Sequence, residues 1–286
     1  MKFEAHYPIH PQLKKYIHYY YFVKTDQKNH HSSYYSFPNV TVPVNIHKNV
    51  TCTIEGDAAV VSACENSNFV TVANGLRERP LKVKWNGLID KVTIAFTAVG
   101  INHFICKNLN ETVEGYTNFF TEWDGNNYTA CLEEFYAEPD NRKRIIILEI
   151  FLVGIYRPFE KGGLLQEIIN LLSDFTPKIS VPEIARQVNI SERTLNRLFQ
   201  LHIGVPPIAY RKIARFRKSL EDKVIREKFK RLTDISYENN YYDQSYFIRM
   251  YNNLSGKSPK DLHKCVNKLA DGNVIFEFIE KPVGFD

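Results

Sequence analysis

Short apolar runs separated by turn-forming residues dominate the first 105 residues of the chain. The runs are rich in aromatic and β-branched residues and cover 19–23, 40–46, 50–54, 60–64, 69–72, 81–85 and 92–96. Turn formers such as Asn66-Ser67-Asn68, Asn74-Gly75 and Asn86-Gly87 lie between them. Short strands at this spacing are typical of a sandwich or a barrel, so the pattern predicts a β-rich first half.

The spacing of apolar residues changes from strand-like to helical near Ile101, and it stays helical to Tyr156. Residues 142–156 hold a dense apolar run that is too short to span a bilayer. We expect this run to form a buried helix, or one that packs against a second subunit. Arg157-Pro158 should end it, and Lys161-Gly162-Gly163 is the predicted linker to the next region.

The region after this linker contains a degenerate internal repeat, over roughly residues 164–265. Five pairs of similar residues lie 52 positions apart: Leu195 and Phe247, Arg197 and Arg249, Phe199 and Tyr251, Gly204 and Gly256, Pro207 and Pro259. Ile184 and Ile235 are 51 positions apart, which places one inserted residue inside the second turn. Each unit has the pattern of a helix, a short turn and a second helix.

The first unit carries clear signals for helix starts and for a turn. Ser180 and Glu183 have the spacing of a capping box. Pro182 falls in the first helical turn, where a missing N–H group is tolerated. Asn189 should take the left-handed conformation of the turn, and Ser191 should cap the next helix.

The second helix of the first unit separates into two faces. The apolar face, which should turn toward the core, comprises Leu195, Leu198, Phe199 and His202. The polar face, at i, i+3, i+4 and i+7, comprises Arg193, Asn196, Arg197 and Gln200. Arg can contact guanine through two hydrogen bonds, and Asn or Gln can do the same to adenine. The alternative is that this face is only solvated.

The second unit repeats this arrangement. Thr233 or Asp234 should start a short helix. Asn239-Asn240 should form the turn, and Asp243 should cap the following helix. The expected inward residues are Phe247, Met250, Tyr251 and Leu254. The expected outward residues are Ser245, Ile248, Arg249 and Asn252, with Gln244 in the exposed first turn that enters the groove in a recognition helix. Ile248 could touch a thymine methyl group or simply pack.

Residues 206–224, between the two units, have the pattern of one long amphipathic helix. Its apolar stripe comprises Ala209, Ile213, Phe216, Leu220 and Val224. Much of the remaining surface is basic, with Arg211, Lys212, Arg215, Arg217 and Lys218. A helix of this length spans about 27 Å. It should therefore hold the two helix-turn-helix units roughly one helical turn of DNA apart, on the same face of the duplex.

Charge is distributed unevenly along the chain. Residues 1–160 contain 16 Lys and Arg against 17 Asp and Glu, whereas residues 161–264 contain 19 against 11. A basic segment favours a polyanionic partner, because Lys and Arg release counterions from phosphates. The charge pattern therefore places the contact with nucleic acid in the C-terminal third.

Composition and motif content limit the other classes of function. The length of 286 residues suits two domains, and the five cysteines form no CxxC pair, so neither a disulfide framework nor a zinc knuckle is expected. His30-His31, His47 and His103 are scattered, no cysteine has a neighbouring histidine, and Gly162-Gly163 fits a linker. We expect no catalytic site, no cofactor and no metal. The absence of a long apolar run and of a signal-peptide core predicts a cytoplasmic protein away from membranes.

The matching stretches of the repeat make the C-terminal region similar to the DNA-binding domain of the AraC/XylS family of transcription regulators. They are 181–185, 191–199, 242–249 and 256–259, and the similarity covers about 100 residues. It implies two helix-turn-helix units joined by a linker helix in a bacterial-type regulator. It also implies DNA contacts by Arg193, Asn196, Arg197 and Gln200 in one unit and Gln244, Ser245, Tyr246 and Arg249 in the other. Asn240-Tyr241 departs from the usual Gly-Phe of the family, and Ser236 and Tyr251 from the usual Ala and Phe.

A weaker similarity concerns the first half, where 92–96 and 100–104 resemble the end of the β-rich half of some family members. It implies a small barrel followed by dimerisation helices. Two alternatives stay open for the aromatic residues Tyr16, Tyr19, Tyr20, Tyr21, Phe22, Tyr34 and Tyr35. They could line a small-molecule pocket, or they could fill a core in a domain that only dimerises or packs and senses no ligand.

The expected architecture is therefore α+β. We predict a β-rich, barrel- or sandwich-like regulatory or dimerisation domain with C-terminal helices at residues 1–160. An all-α tandem helix-turn-helix domain follows at 161–265, and a tail at 266–286 that could add a strand. The expected partner is double-stranded promoter or operator DNA. Further candidates are a small-molecule effector, a second copy in a homodimer, and RNA polymerase if the protein is an activator.

Overall fold

Two six-stranded sheets and a set of helices make up the part of the protein that the structure describes. The computed structural model describes residues 1–176, 179–221, 244–269 and 274–280. The first sheet contains, in spatial order, β1 (Lys2–His6), β2 (Ile17–Lys24), β9 (Asp90–Thr97), β4 (Thr41–Lys48), β7 (Phe69–Asn74) and β10 (Thr117–Phe119). The second contains β11 (Asn267–Leu269), β12 (Val274–Glu280), β3 (His31–Ser36), β8 (Leu81–Asn86), β6 (Ala58–Ala63) and β5 (Val50–Glu55). The β6–β8 pair is parallel, whereas the other pairs of described strands are antiparallel.

Helices fill most of the chain after β9. They are α1 (Leu109–Thr112), α2 (Asn126–Ala137), α3 (Asn141–Ile155), α4 (Gly162–Ser173), α5 (Val181–Gln187), α6 (Glu192–His202), α7 (Pro207–Glu221), α8 (Gln244–Ser255) and α9 (Pro259–Cys265). The mixed α+β architecture predicted from the sequence is confirmed. The short first helix and turn expected for the second unit fall in 222–243, outside the described residues.

All seven apolar runs of the first half coincide with strands, but three strands were not predicted. β1 and β3 contain too many polar residues to be recognised as apolar runs. In β3, for example, Ser32 and Ser33 are buried although neither is apolar. The expectation of purely helical structure from Ile101 to Tyr156 was wrong at β10. Those three residues pair with β7 and extend the edge of the first sheet, a pairing that spacing of apolar residues does not reveal.

Helices α2 and α3 cover one face of the first sheet. Phe22 stacks on Phe135 of α2 with ring centroids 6.1 Å apart, and the hydroxyl of Tyr20 donates to Glu149 of α3 at 3.2 Å. The helix predicted over 142–156 is α3, and its inner face, including Leu148, is fully buried. Its outer face carries exposed apolar residues beside charged ones: Ile150 is 69% exposed.

The helical region packs against the β-rich half. The side-chain amide of Asn102 donates to the backbone oxygen of His202 at 2.9 Å, and the ring of His202 lies edge-on to Phe159. Lys212 of α7 forms an ion pair with Glu78, which follows β7, at 2.6 Å. These contacts fix α6 and α7 against the sheets. No helix in the described ranges is both long and apolar enough to cross a bilayer.

The chain ends by returning to the β-rich half. After α9, β11 and β12 form a hairpin, and β12 pairs antiparallel with β3. Phe276 of β12 lies opposite Ser36, and Phe278 lies opposite Tyr34. Residues 267–269 and 274–280 of the tail, which the sequence left without a place, therefore form part of the second sheet.

Candidate nucleic-acid interface

Helix α5 begins where the sequence predicts. The hydroxyl of Ser180 accepts a hydrogen bond from the backbone N–H of Glu183 at 3.4 Å, and the carboxylate of Glu183 accepts from the backbone N–H of Ser180 at 2.7 Å. This reciprocal pair is the predicted capping box, and it satisfies backbone donors that a helix start leaves unpaired. The hydroxyl of Ser180, which also donates to the Glu183 carboxylate at 2.5 Å, and the backbone N–H of Ser180 together lower the pKa of Glu183 below its ordinary value, so the carboxylate stays ionised.

The turn between α5 and α6 also follows the prediction. Asn189 has a φ of 54°, in the left-handed region that Asn tolerates better than other non-glycine residues. Ser191 caps α6, because its hydroxyl accepts from the backbone N–H of Thr194 at 3.1 Å. The sharp reversal fixes how α6 is held relative to α5 in a helix-turn-helix unit.

Helix α6 has the two faces expected from the sequence. The inward residues Leu195, Leu198, Phe199 and His202 are all buried. Burial lowers the pKa of His202, so this side chain is neutral near pH 7 and belongs to the core. The inward face therefore fixes the rotation of α6 about its axis.

The outward face of α6 presents a cationic and amide-bearing surface. Arg193, Arg197 and Gln200 are exposed to solvent. Asn196 is only half-exposed, and its amide donates to the backbone oxygen of Glu192 at 2.9 Å. Three of the four predicted contact residues thus project from the unit, while Asn196 is held against its own helix.

Helix α8 is the counterpart of α6 in the second unit. The residues predicted to point inward, Phe247, Met250, Tyr251 and Leu254, are buried. The residues predicted to point outward, Ser245, Ile248, Arg249 and Asn252, are exposed, and so is Tyr246, which the family resemblance adds to the contact residues. Gln244 is the first residue of α8, and its side chain lies outside the described set. Ile248 is 38% exposed, so it lies on the outer surface rather than in the core.

The two units share the geometry of their closing turns as well as their sequences. Gly204 has a φ of 84° and Gly256 a φ of 73°, so both need the left-handed conformation that glycine adopts without strain. Pro207 then begins α7 and Pro259 begins α9. The paired Gly and Pro residues of the repeat therefore perform the same local tasks in both units.

Tyr251, which replaces the more usual Phe, has a partner for its hydroxyl. That hydroxyl lies 2.9 Å from the hydroxyl of Ser219 on α7, and the ring of Tyr251 packs edge-on to Phe216. The extra oxygen is therefore satisfied inside the core, and it ties α8 to the linker helix. The other departures, at Ser236 and Asn240-Tyr241, lie outside the described residues.

The linker helix α7 does not present its whole basic surface to solvent. Its predicted apolar residues Ala209, Ile213, Phe216 and Leu220 are buried, as expected. Arg217 is buried too and pairs with Glu221 at 2.7 Å, and Lys212 pairs with Glu78. Lys218 stays exposed. At least two of the five cations counted as surface residues therefore bind carboxylates of the protein itself.

The aromatic residues at the start of the chain divide between core and cavities. Tyr20 and Phe22 pack under α2 and α3 as described above. Tyr19 and Tyr21 line a cavity of about 50 Å³ between the first sheet and α7, together with Arg77 and Arg217. Nothing in the sequence singles out Arg77, because it follows Asn74-Gly75 in a segment with the composition of an ordinary turn.

Comparisons with known proteins place the helical region in a recognised class. Residues 184–264 match a family model described as a helix-turn-helix domain. No curated protein sequence matches the chain. Among solved structures, the chain is similar to ToxT from Vibrio cholerae, with 10% identity and a TM-score of 0.48 over 92% of this chain and 98% of that one. A second structure, of wild-type ToxT bound to an unsaturated fatty acid, gives 14% identity and 0.46 over 85% and 94%. At these values the likeness says nothing of what this chain binds.

Proposed function

We propose that the protein is a sequence-specific DNA-binding transcription regulator, because residues 184–264 match a family model of an AraC-type helix-turn-helix domain. The observation that carries the proposal is the pair of helices α6 and α8, each with a buried inner face and a polar outer face. Repeated helices of this type, joined by α7, suit two successive segments of the major groove.

In the first unit, α6 supplies the proposed base contacts. Arg193 and Arg197 can each reach the O6 and N7 acceptors of a guanine, and Gln200 can reach the N6 and N7 atoms of an adenine. Asn196 could do the same once it leaves the backbone oxygen of Glu192. The bond it gives up is replaced by bonds to the base, so the exchange costs little.

In the second unit, α8 supplies a larger but less basic set of proposed contact residues. Arg249 is its guanine-reading candidate, while Gln244, Ser245, Tyr246 and Asn252 complete the proposed contact residues. The exposed side chain of Ile248 suits the methyl group of a thymine. We therefore infer that the first unit contributes more of the electrostatic attraction, and that both units contribute to base preference.

Arg197→Ala is expected to weaken operator binding by about 1–3 kcal/mol and to relax the preference at one base pair. Binding is measured with DNA from upstream of the gene and its neighbours, across a salt series with competitor DNA, followed by footprinting over about two helical turns. Arg249→Ala should act similarly at a different position.

The matched control for this measurement is Arg79→Ala, which removes a 73% exposed arginine from the segment between β7 and β8, outside the proposed DNA-contacting helices and the proposed dimer face. It should leave both affinity and base preference as in the wild type. If Arg197→Ala instead bound every site as the wild type does, the outward face of α6 would not be the reading face.

We propose the division into residues 1–160, 161–265 and 266–286, with the first part as the regulatory and dimerisation domain. The protein is proposed to act in the bacterial cytoplasm on promoter DNA, and to contact RNA polymerase if it activates. The proposed function needs neither a catalytic site nor a cofactor.

We further propose that the first part binds a small anionic effector. The support is Arg77, a cation buried to 5% exposure beside Tyr21 in the cavity between the first sheet and α7. Arg217 enters the same cavity from α7, so a bound anion would join the β-rich half to the linker helix. The competing view, a first part that only packs and senses nothing, predicts no stabilisation by any anion.

A homodimer through the outer face of α3 is also proposed. Ile146 and Ile150, one turn apart, are 44% and 69% exposed, which is unusual for a surface helix of a monomer. Ile150→Glu should therefore convert a dimer to a species of single-chain mass in analytical ultracentrifugation. Ile208→Glu is the control, since Ile208 is 71% exposed on α7, away from this face. An unchanged mass for Ile150→Glu would remove α3 from the interface.

A further inference from the structure

The end of the chain is physically joined to both halves of the molecule. β12 pairs with β3 of the second sheet in antiparallel register. Phe276 is buried to 4% exposure, and its ring lies edge-on to Tyr34 of β3, with centroids 5.8 Å apart. Because β12 follows α9 through only the β11 hairpin, this pairing holds the second helix-turn-helix unit against the β-rich half.

An ion pair reinforces this connection at the second unit itself. The ammonium group of Lys257, in the turn between α8 and α9, contacts the carboxylate of Glu277 on β12 at 2.6 Å. The hydrogen bond to Glu277 raises the pKa of Lys257. The side chain of Glu277 is 10% exposed, so its charge is largely removed from solvent and faces this lysine, with the thiol of Cys265 as a second neighbour. Farther along β12, Glu280 accepts a hydrogen bond from Ser33 at 3.1 Å.

Lys257 occupies a position from which it could serve DNA binding. It directly follows Gly256, at the end of the helix proposed to read bases, and lysines that flank such helices commonly contact phosphates. A carboxylate at 2.6 Å cancels that charge and would repel an approaching phosphate. The outer residues of α8 stay exposed beside it, so the reading face is open while one flanking cation is occupied.

Resting on the proposed function, we propose that the C-terminal strand β12 is an intramolecular clamp that limits DNA binding by the second unit. The clamp pairs with β3, holds α8 and α9 on the second sheet, and keeps Lys257 from the DNA backbone. Without β12, β3 would be an edge strand with unpaired backbone groups, so the docked state is the resting one. Full engagement of the second unit requires Lys257 to exchange Glu277 for a phosphate.

The electrostatic part of the clamp is tested with Glu277→Gln in the full-length protein. Glutamine keeps the shape and a hydrogen-bond acceptor but removes the charge. Operator affinity should rise, and the slope of log affinity against log salt should steepen by roughly 0.9, the change for one added phosphate contact. Adding Lys257→Gln to Glu277→Gln should restore the wild-type slope. Glu280→Gln, on the same strand but bonded to Ser33, should leave the slope unchanged.

The docking part is tested without DNA. Phe276→Ser should release β12, so the backbone amides of β3 should exchange with deuterium faster than in the wild type. Unchanged exchange in β3, or an unchanged salt slope for Glu277→Gln in a protein that binds its operator, would overturn the clamp. If neither the wild-type protein nor any variant bound a specific DNA site, the proposed function would be overturned. The exchange measurement would still decide whether β12 is docked on β3.

Discussion

Leu195→Ala is expected to lower the free energy of unfolding by about 2–5 kcal/mol. Leu195 has no exposed surface and lies at the centre of the inward face of α6. Alanine leaves a cavity there, because close-packed neighbours relax only in part. Phe247→Ala, at the equivalent position of α8 and 1% exposed, should cost a similar or larger amount.

Urea denaturation followed by far-ultraviolet circular dichroism measures this loss as a lower midpoint at unchanged slope. Gln200→Ala is the matched control, since Gln200 lies on the same helix but is exposed. It should change the free energy of unfolding by less than about 0.5 kcal/mol. A fully stable Leu195→Ala protein would mean that α6 is rotated about its axis, with the proposed contact residues facing inward.

The first helix-turn-helix unit, and helix α8 of the second, could be predicted well because their signals are local. The capping pair Ser180 and Glu183, the left-handed Asn189 and the cap Ser191 each act within three or four residues of chain. The buried faces of α6 and α8 follow from helical periodicity alone. The outward residues could be named for the same reason, since they are the remainder of each helix.

The strands that were missed depend on partners far away in sequence. β3 has the composition of a polar loop, and it is a strand because β8 pairs with it on one side and β12 on the other. β12 lies about 240 residues from β3 along the chain, and no periodicity links the two. The ion pair of Lys257 with Glu277 depends on that pairing, so it could not be predicted from the sequence either.

The cations of α7 show a second limit of sequence-based interpretation. Net charge predicted a basic helix, but charge does not reveal which side chains find carboxylates inside the protein. Lys212 and Arg217 bind Glu78 and Glu221, so they support the packing of the linker rather than its attraction to DNA. The basic surface offered to DNA is thus smaller than the count of residues suggests, which gives greater weight to Arg193, Arg197 and Arg249.

Arg77 is a buried cation without an ion-pair partner among the described residues. One nitrogen donates to the backbone oxygen and hydroxyl of Ser36 at 3.1 and 2.9 Å, whereas Nε has no hydrogen-bond partner. Burial lowers the pKa of Arg77 to about 10, which still leaves it charged at pH 7. Burying a charge without a partner of opposite charge costs free energy. Pairing with Arg77 would therefore supply most of the affinity of a bound anion.

Small carboxylates are therefore expected to stabilise the protein, while neutral analogues of the same shape are not. At a concentration one hundred times its dissociation constant, a ligand of the folded state stabilises by about 2.7 kcal/mol. Thermal unfolding with acetate and butyrate, each compared with its amide at equal ionic strength, measures the effect. The midpoint should rise with the carboxylates alone.

Arg77→Met should abolish this rise, because it keeps an unbranched side chain but removes the charge. Arg79→Met is the matched control: Arg79 lies two residues away, is 73% exposed and should leave the rise intact. Equal stabilisation of the Arg77→Met and wild-type proteins would place the anion elsewhere. If no carboxylate raised the thermal unfolding midpoint of the wild-type protein, the result would favour a first half that only packs and dimerises. Stabilisation that depends on Arg77 would instead make the cavity beside Arg217 the point where an effector acts on the linker helix.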